Sequence, residues 1–307
     1  AFRPNDSAGA VTAGTVGNLP TPNPQVLKFG VESSISLTAP TLTGYTFSGW
    51  SETYGGAKVY DKGQTLSAST VSRMYKDCNG GTYNIYTTWT ANKYKIHFDK
   101  NATDANGSMA DMDMVYDVAK NLSENKFSRE GYTFQGWNTA KNGSGTSYDD
   151  KALVNNLTAA PNGTVTLYAQ WTINPYNIKV YSKSNKYNNV TAYTKDTVGG
   201  TVQINTTPAS TSTTLNYGTE YSITATEKTG YKFEGWYTPK DGNDFGTLVS
   251  TSETYTTTLG AANIEYYAKF NVRTYTITID PNSPTTGSNA CHPPTGSCPC
   301  AGIRYCP

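Results

Sequence analysis

The segment Gly44-Tyr45-Thr46-Phe47-Ser48-Gly49-Trp50 is repeated twice more in this chain. It returns as Gly131-Tyr132-Thr133-Phe134-Gln135-Gly136-Trp137 and as Gly230-Tyr231-Lys232-Phe233-Glu234-Gly235-Trp236, at offsets of 87 and 99 residues. Periods of that length are domain-sized, so the chain reads as small modules on a string and not as a solenoid of short repeats. Each copy closes on an aromatic segment: Ile85-Tyr86-Thr87-Thr88-Trp89, Leu167-Tyr168-Ala169-Gln170-Trp171 and Tyr266-Tyr267-Ala268-Lys269-Phe270. All five tryptophans fall on these two landmarks, which lie 39, 34 and 34 residues apart.

The alternation of the motif is that of a strand, whose successive side chains point to opposite faces. The opening glycine suits a turn that needs positive φ. The second glycine, just before the tryptophan, suits a bulge that re-aims the ring inward. A buried tryptophan removes about 150–250 Å² from water, worth roughly 4–6 kcal/mol at about 25 cal/mol per Å². Such a term is large beside the ~5–15 kcal/mol net stability of a domain. Trp50, Trp89, Trp137, Trp171, Trp236 and Phe270 are therefore expected as structural core, with stacking on a carbohydrate as the competing role. Lys141–Gly145 and Lys240–Asp244 carry hairpin-loop chemistry, and one short helix per copy is expected, for example around Thr70–Asp77.

At this point the residues resemble a known family. Gly131–Trp137, the following Asn138-Thr139-Ala140-Lys141-Asn142-Gly143-Ser144-Gly145-Thr146 and Leu167–Trp171 are similar to the Listeria–Bacteroides repeat, the B-repeat of internalin B. The resemblance implies β-grasp-like modules of a bacterial surface protein, used as spacers or adhesive units. The second copy follows the pattern almost throughout. The first lacks the loop consensus, and the third has Phe270 for tryptophan and an insertion near Ser182–Ser212. The expected fold class is β-rich (α+β), with three tandem β-grasp-like modules. The expected divisions are an N-terminal leader over 1–24, repeats over 25–91, 92–173 and 174–272, an orphan opening strand over 273–282 and a Cys/Pro-rich C-terminal tail over 283–307.

Composition limits the function classes. A formal net charge of +1 and a charged fraction of 15% provide no electrostatic footprint for nucleic acid or anionic lipid. No apolar run reaches membrane-spanning length. The start at Ala1 suits a processed, exported polypeptide, so the expected location is extracellular or at a bacterial cell surface. Of two histidines, His97 lies in an alternating strand and His292 in the tail, and neither belongs to a recognisable triad. No phosphate-binding loop or dinucleotide fingerprint is present. Asp99, Asn101, Asp104, Asn106, Gly107 and Asp113 have some flavour of a calcium loop, but their spacing is wrong and a polar turn is expected. No catalytic residue, cofactor or metal is assigned.

The strand count is unbalanced. Copy two opens with Tyr94-Lys95-Ile96-His97-Phe98-Asp99 and copy three with Tyr176-Asn177-Ile178-Lys179-Val180-Tyr181. Copy one begins directly at Val26–Phe29, which aligns with Met112–Tyr116, so it lacks its opening strand. A spare strand of the right type, Tyr275-Thr276-Ile277-Thr278-Ile279-Asp280, follows copy three, with Tyr275, Ile277 and Ile279 on one face. Donation of that strand to a neighbouring molecule predicts self-association through sheet edges, propagating head to tail into a filament. The competing readings are a strand supplied by residues 1–24, with Ala10–Ala13 as candidate, or an adhesin or spacer stalk that binds a host or glycan ligand.

Cys291, Cys298, Cys300 and Cys306 crowd the tail, and Cys78 is left over as a buried thiol or an intermolecular bridge. In an exported protein the four tail cysteines are expected as disulfides, with three connectivities open; a zinc site with His292 is the competing reading. Mass spectrometry without reductant is expected to show a loss of about two protons per bridge and no bound metal. Stoichiometric zinc released by acid would overturn the disulfide assignment.

Overall fold

The computed structural model describes residues 2–3, 17–18, 21, 24–35, 38–185, 193–240 and 244–278. Ile279 and all four tail cysteines, together with Ala10–Ala13 and His292, lie outside the described residues. The protein is β-rich, with three separate buried clusters, one for each copy of the motif.

Repeat 1 contains β1 (Phe2–Arg3), β2 (Ser33–Ser34), β3 (Tyr45–Ser51), β4 (Thr65–Leu66), α1 (Ala68–Asp77) and β5 (Ile85–Ala91). Repeat 2 contains β6 (Lys93–Asp99), β7 (Met112–Val115), β8 (Lys120–Asn121), β9 (Tyr132–Asn138), β10 (Ser147–Tyr148), β11 (Leu153–Val154) and β12 (Thr164–Ile173). Repeat 3 contains β13 (Pro175–Ser184), β14 (Thr194–Lys195), β15 (Gly200–Ile204), β16 (Ser212–Asn216), β17 (Glu220–Glu227), β18 (Tyr231–Pro239), β19 (Phe245–Ser250), β20 (Thr254–Thr258) and β21 (Ile264–Val272).

Repeat 2 shows the plan most clearly. Its sheet runs β10-β9-β12-β6-β7, with the opening strand β6 parallel to the closing strand β12 in the middle. The small β8–β11 ladder brings Leu122 and Val154 into the same buried cluster as Trp137, Ile96 and Leu167. Repeat 3 keeps the parallel pair as β13 and β21, and enlarges the covering ladder to β15-β17-β20. The insertion near Ser182–Ser212 supplies β14 and β15. Repeat 1 covers its core with α1 instead. Ser67 caps this helix by accepting from the Thr70 N–H, and Val71 and Met74 turn inward. From Leu66 to Ile85 is 19 residues, against 13 from Val154 to Leu167, and the extra chain makes the helix. No helix occurs among the described residues of repeats 2 and 3, so the helix expected in every copy belongs to the first alone.

The motif behaves alike in all three repeats. Gly44, Gly131 and Gly230 have φ of 79°, 73° and 87°. Gly49, Gly136 and Gly235 have φ of 145°, 132° and 152°, and the ladder register slips beside each of them. That bulge turns Trp50, Trp137 and Trp236 into the core, where each is 1% exposed or less. Phe270 is fully buried too, but Trp89 and Trp171 are only half-buried. Their rings sit edge-on to Phe47 and Phe134 at 5.6 Å, so they shield the core and do not fill it.

Trp137→Ala removes the ring that Phe98, Phe127 and Phe134 surround. It is expected to cost about 3–5 kcal/mol and to unfold repeat 2 while repeats 1 and 3 persist, read as one lost transition in calorimetry. An unchanged melting profile would show that the ring is not core.

Candidate functional site: an open groove and two joints

In repeats 2 and 3 the opening strand completes the core. Tyr94 is 2% and Ile96 0% exposed in repeat 2, and Ile178 and Val180 are equally buried in repeat 3. β6 pairs on one side with β12 (Ile96 opposite Val165) and on the other with β7 (Tyr94 opposite Met114).

Repeat 1 departs from this plan. The sequence leaves it without an opening strand, yet β1 supplies two residues of one, with Phe2 parallel to Ile85 and Arg3 to Tyr86. Phe2 thus holds the ladder position that Phe98 holds opposite Leu167. Among the described residues no strand pairs with residues 81–84 on this side. β5 begins at Ile85, whereas β12 begins at Thr164, which corresponds to Thr82. Residues 25–28, the counterpart of β7, form no strand. Between these two segments lies a groove of about 360 Å³ whose walls include Leu27, Phe29, Leu66, Val71, Met74 and Tyr83. It occupies the place where repeat 2 buries Tyr94 and Ile96.

The segment with the matching pattern is exposed. After β21 residues 273–278 form no strand, and Tyr275 and Ile277 are 81% and 86% exposed. Tyr275–Asp280 is therefore not a strand of this molecule over its described part. The structure brings neither residue near Trp50 or the other core aromatics. His97 lies on β6 with Nδ1 2.8 Å from Asp111, and Cys78 is a free, partly buried thiol beside the groove. Asp99 accepts from the Asn101 N–H and Asp104 pairs with Arg129, which are polar-turn contacts. Among the described residues no group of three His, Cys, Asp or Glu side chains is placed to hold a metal ion. None of the described helices is long and apolar enough to cross a membrane.

The repeats meet through a joint that sequence reading did not find. At the first joint Asn92 donates from its N–H to the Gly44 carbonyl and accepts from the Thr46 hydroxyl, while its own carbonyl accepts from the Tyr116 N–H. The Tyr116 ring then lies flat against Gly44, where a Cβ would sit 2.1 Å from it. The second joint repeats each contact with Asn174, Gly131, Thr133 and Tyr217, again with 2.1 Å between a Cβ at the glycine and the ring. Tyr45 and Tyr132 add edge-on ring contacts at 5.8 and 6.1 Å. The Tyr45 hydroxyl donates to Asp117, and its pKa is pushed up to about 12 by burial and by that carboxylate. A signal for this joint exists in the sequence: each ring precedes a residue of positive φ, Asp117 at 62° and Gly218 at 75°.

The chain belongs to the Listeria–Bacteroides repeat family of surface-protein modules. The Listeria-Bacteroides repeat domain matches residues 13–72 and 94–170, and the divergent InlB B-repeat domain matches residues 189–274. A protein of Evansella cellulosilytica described as a Gly-rich membrane protein is 30% identical over 243 residues, 78% of this chain and 24% of its own length. Internalin H of Listeria monocytogenes is 32% identical over 139 residues, 45% of this chain and 21% of its own. The chain thus spans about a quarter of the length of the relatives it matches. Among solved structures, the Bacillus anthracis TIE protein aligns with 62% of this chain and 36% of its own at 10% identity, with a TM-score of 0.27. The minor pilin GBS52 of Streptococcus agalactiae aligns over 62% of this chain and all of its own at 8% identity, with a TM-score of 0.23.

The ring-on-glycine contact predicts a difference between equivalent glycines. Gly230→Ala meets nothing within 4 Å and is expected to cost only the left-handed backbone term, about 1–2 kcal/mol. Gly131→Ala must also displace the Tyr217 ring, and is expected to cost about 1–3 kcal/mol more. Equal losses in denaturant titrations of the two variants would show that the ring contact contributes nothing.

Proposed function

We propose that this chain is a structural protein of the bacterial cell surface whose copies join head to tail by strand donation. Tyr275–Thr278 of one copy enters the open groove of repeat 1 in the next. The observation that carries this reading is the groove itself: repeats 2 and 3 pack a Tyr-x-Ile strand there, Tyr94–Ile96 and Tyr176–Ile178, and in repeat 1 the same place is a groove with apolar walls among the described residues.

The register follows from repeat 2. Tyr275 corresponds to Tyr94 and Ile277 to Ile96, so the incoming strand runs parallel along residues 81–85 and antiparallel to residues 25–28. Ile279 then falls at the ladder position of Phe2, and the incoming strand replaces that two-residue pairing. The backbone groups of both edges gain partners, and Tyr275 and Ile277 leave water. A sheet edge of this kind is a ready template for an added strand. The contact is heterologous, since the groove lies in the first repeat and the strand follows the third, and such contacts propagate.

Deleting residues 273–307 is expected to leave three folded repeats that no longer polymerise, observed by electron microscopy and sedimentation. A synthetic peptide of residues 273–282 is expected to cap assembly of the intact chain. Assembly by the truncated chain, or an intact chain that is monomeric at all concentrations, would leave a spacer and sink the donation reading.

A further inference from the structure

The two internal joints define what a third joint would need: a bare glycine on the upstream repeat and an aromatic ring on the downstream one. Both halves are present in this chain, the glycine on repeat 3 and the ring on repeat 1, and neither has its counterpart among the described residues.

Repeat 3 carries the glycine half. Arg273 stands where Asn92 and Asn174 stand, between the closing strand and the next opening segment. Its N–H donates to the Gly230 carbonyl at 2.7 Å, as the Asn92 and Asn174 N–H groups do to Gly44 and Gly131 at 2.9 and 2.8 Å. Its guanidinium is held by the Tyr231 carbonyl at 2.8 Å and by Glu227 at 2.6 Å. The Phe233 N–H and then Arg273 keep the Glu227 carboxyl below the usual carboxylate range. The joint is thus preformed on this side. Yet a Cβ built on Gly230 meets nothing within 4 Å, where both other glycines are covered by tyrosine.

Repeat 1 carries the ring half. Tyr116 and Tyr217 each sit in a turn closed by an N–H to carbonyl bond, Val118 to Val115 and Thr219 to Asn216. The same turn in repeat 1 is closed by Val31 to Lys28, which places Phe29 in the position of the two tyrosines. Gly30 has φ of 68°, matching Asp117 and Gly218. Phe29 is 56% exposed and touches Tyr75 edge-on at 5.0 Å, with no glycine beneath it.

We propose that Phe29 of one copy packs on Gly230 of a second copy, so that the polymer interface reproduces the joint found twice within each molecule. The inference rests on the strand-donation reading and adds to it a second contact, made at the rim of the groove by Phe29, which also lines it, with Gly230, which does not. The Arg273 carbonyl then accepts from the Phe29 N–H of the second copy, as the carbonyls of Asn92 and Asn174 accept from Tyr116 and Tyr217. Both contacts arise in one docking event, because in the internal joints the linker residue lies directly between the glycine-bearing repeat and the inserted strand.

The test uses intact chains altered at either end, with the end-to-end association constant obtained from the dependence of mean polymer length on concentration in light scattering. Phe29→Ala removes the ring. Gly230→Asn keeps a residue that tolerates the left-handed conformation and puts its side chain where the ring must lie. Each is expected to lower the association constant at least tenfold with all three repeats still folded, and Phe29→Tyr is expected to assemble like the parent. A labelled peptide of residues 273–282 is titrated in parallel into full-length Ile277→Asp, whose groove is intact and whose own strand cannot be donated. If this peptide binds while Phe29→Ala and Gly230→Asn assemble like the parent, the ring-on-glycine contact is wrong and strand donation stands. If the peptide does not bind, donation fails and the joint fails with it.

Discussion

In each complete repeat the opening strand lies in the middle of the sheet, parallel to the closing strand, and not at an edge. β6 runs beside β12 and β13 beside β21, over registers that take in Ile96 and Ile178, both fully buried. A parallel pair cannot be closed by a tight turn, so almost the whole repeat lies between its two members. The rest follows from that constraint. The motif strand β9 or β18 must pair on the far side of the closing strand, and the covering ladder must close the other face. In repeat 1 only Phe2 and Arg3 are seen in that position among the described residues, beside the groove.

The same constraint makes the joints short. The closing strand of one repeat ends one residue before the opening strand of the next begins, with Asn92 or Asn174 between. That single residue uses its backbone N–H, its carbonyl and its side chain to tie the motif glycine of one repeat to the aromatic turn of the next. Neighbouring modules are therefore fastened by hydrogen bonds and a ring contact, and not by a flexible linker. Stability in such a chain is the sum of module terms and nearest-neighbour interface terms.

Much of this was legible in the sequence. The spacing of Gly44, Gly49 and Trp50 contained the left-handed turn, the bulge and the inward ring, because each needs a residue type that little else can replace. The opening strands of repeats 2 and 3 were legible as alternating segments, Tyr94–Asp99 and Tyr176–Tyr181. Other features were not. Trp89 and Trp171 look like core by composition but pack at its rim, since burial depends on which face the closing strand presents after the register slip. The helix over Ala68–Asp77 depends on six extra residues and a Ser67 cap that the other repeats lack. The two residues of β1 carry no pattern long enough to read. Phe29 reads as one more apolar residue of a strand, and only its turn, closed by Val31 and Lys28, marks it as a joint residue.

The energetics decide how much a donated strand can do alone. Within the chain, Tyr94 and Ile96 are tethered to their groove, so burying them incurs no association cost. The same burial by Tyr275 and Ile277 of another copy returns about 1.5–3 kcal/mol for each large apolar side chain, or roughly 3–6 kcal/mol for the pair. Bringing two molecules together costs on the order of 4–15 kcal/mol in lost freedom. Backbone hydrogen bonds exchanged for those with water add only about 1 kcal/mol each. Strand insertion into the groove is thus near balance, enough for a weak and reversible contact. A second contact made in the same event needs no further loss of rotational and translational freedom, so whatever Phe29 gains on Gly230 adds directly to affinity. If both contacts form, each added copy makes the same pair of them, so such a polymer lengthens gradually with concentration and the strength of the pair sets its mean length.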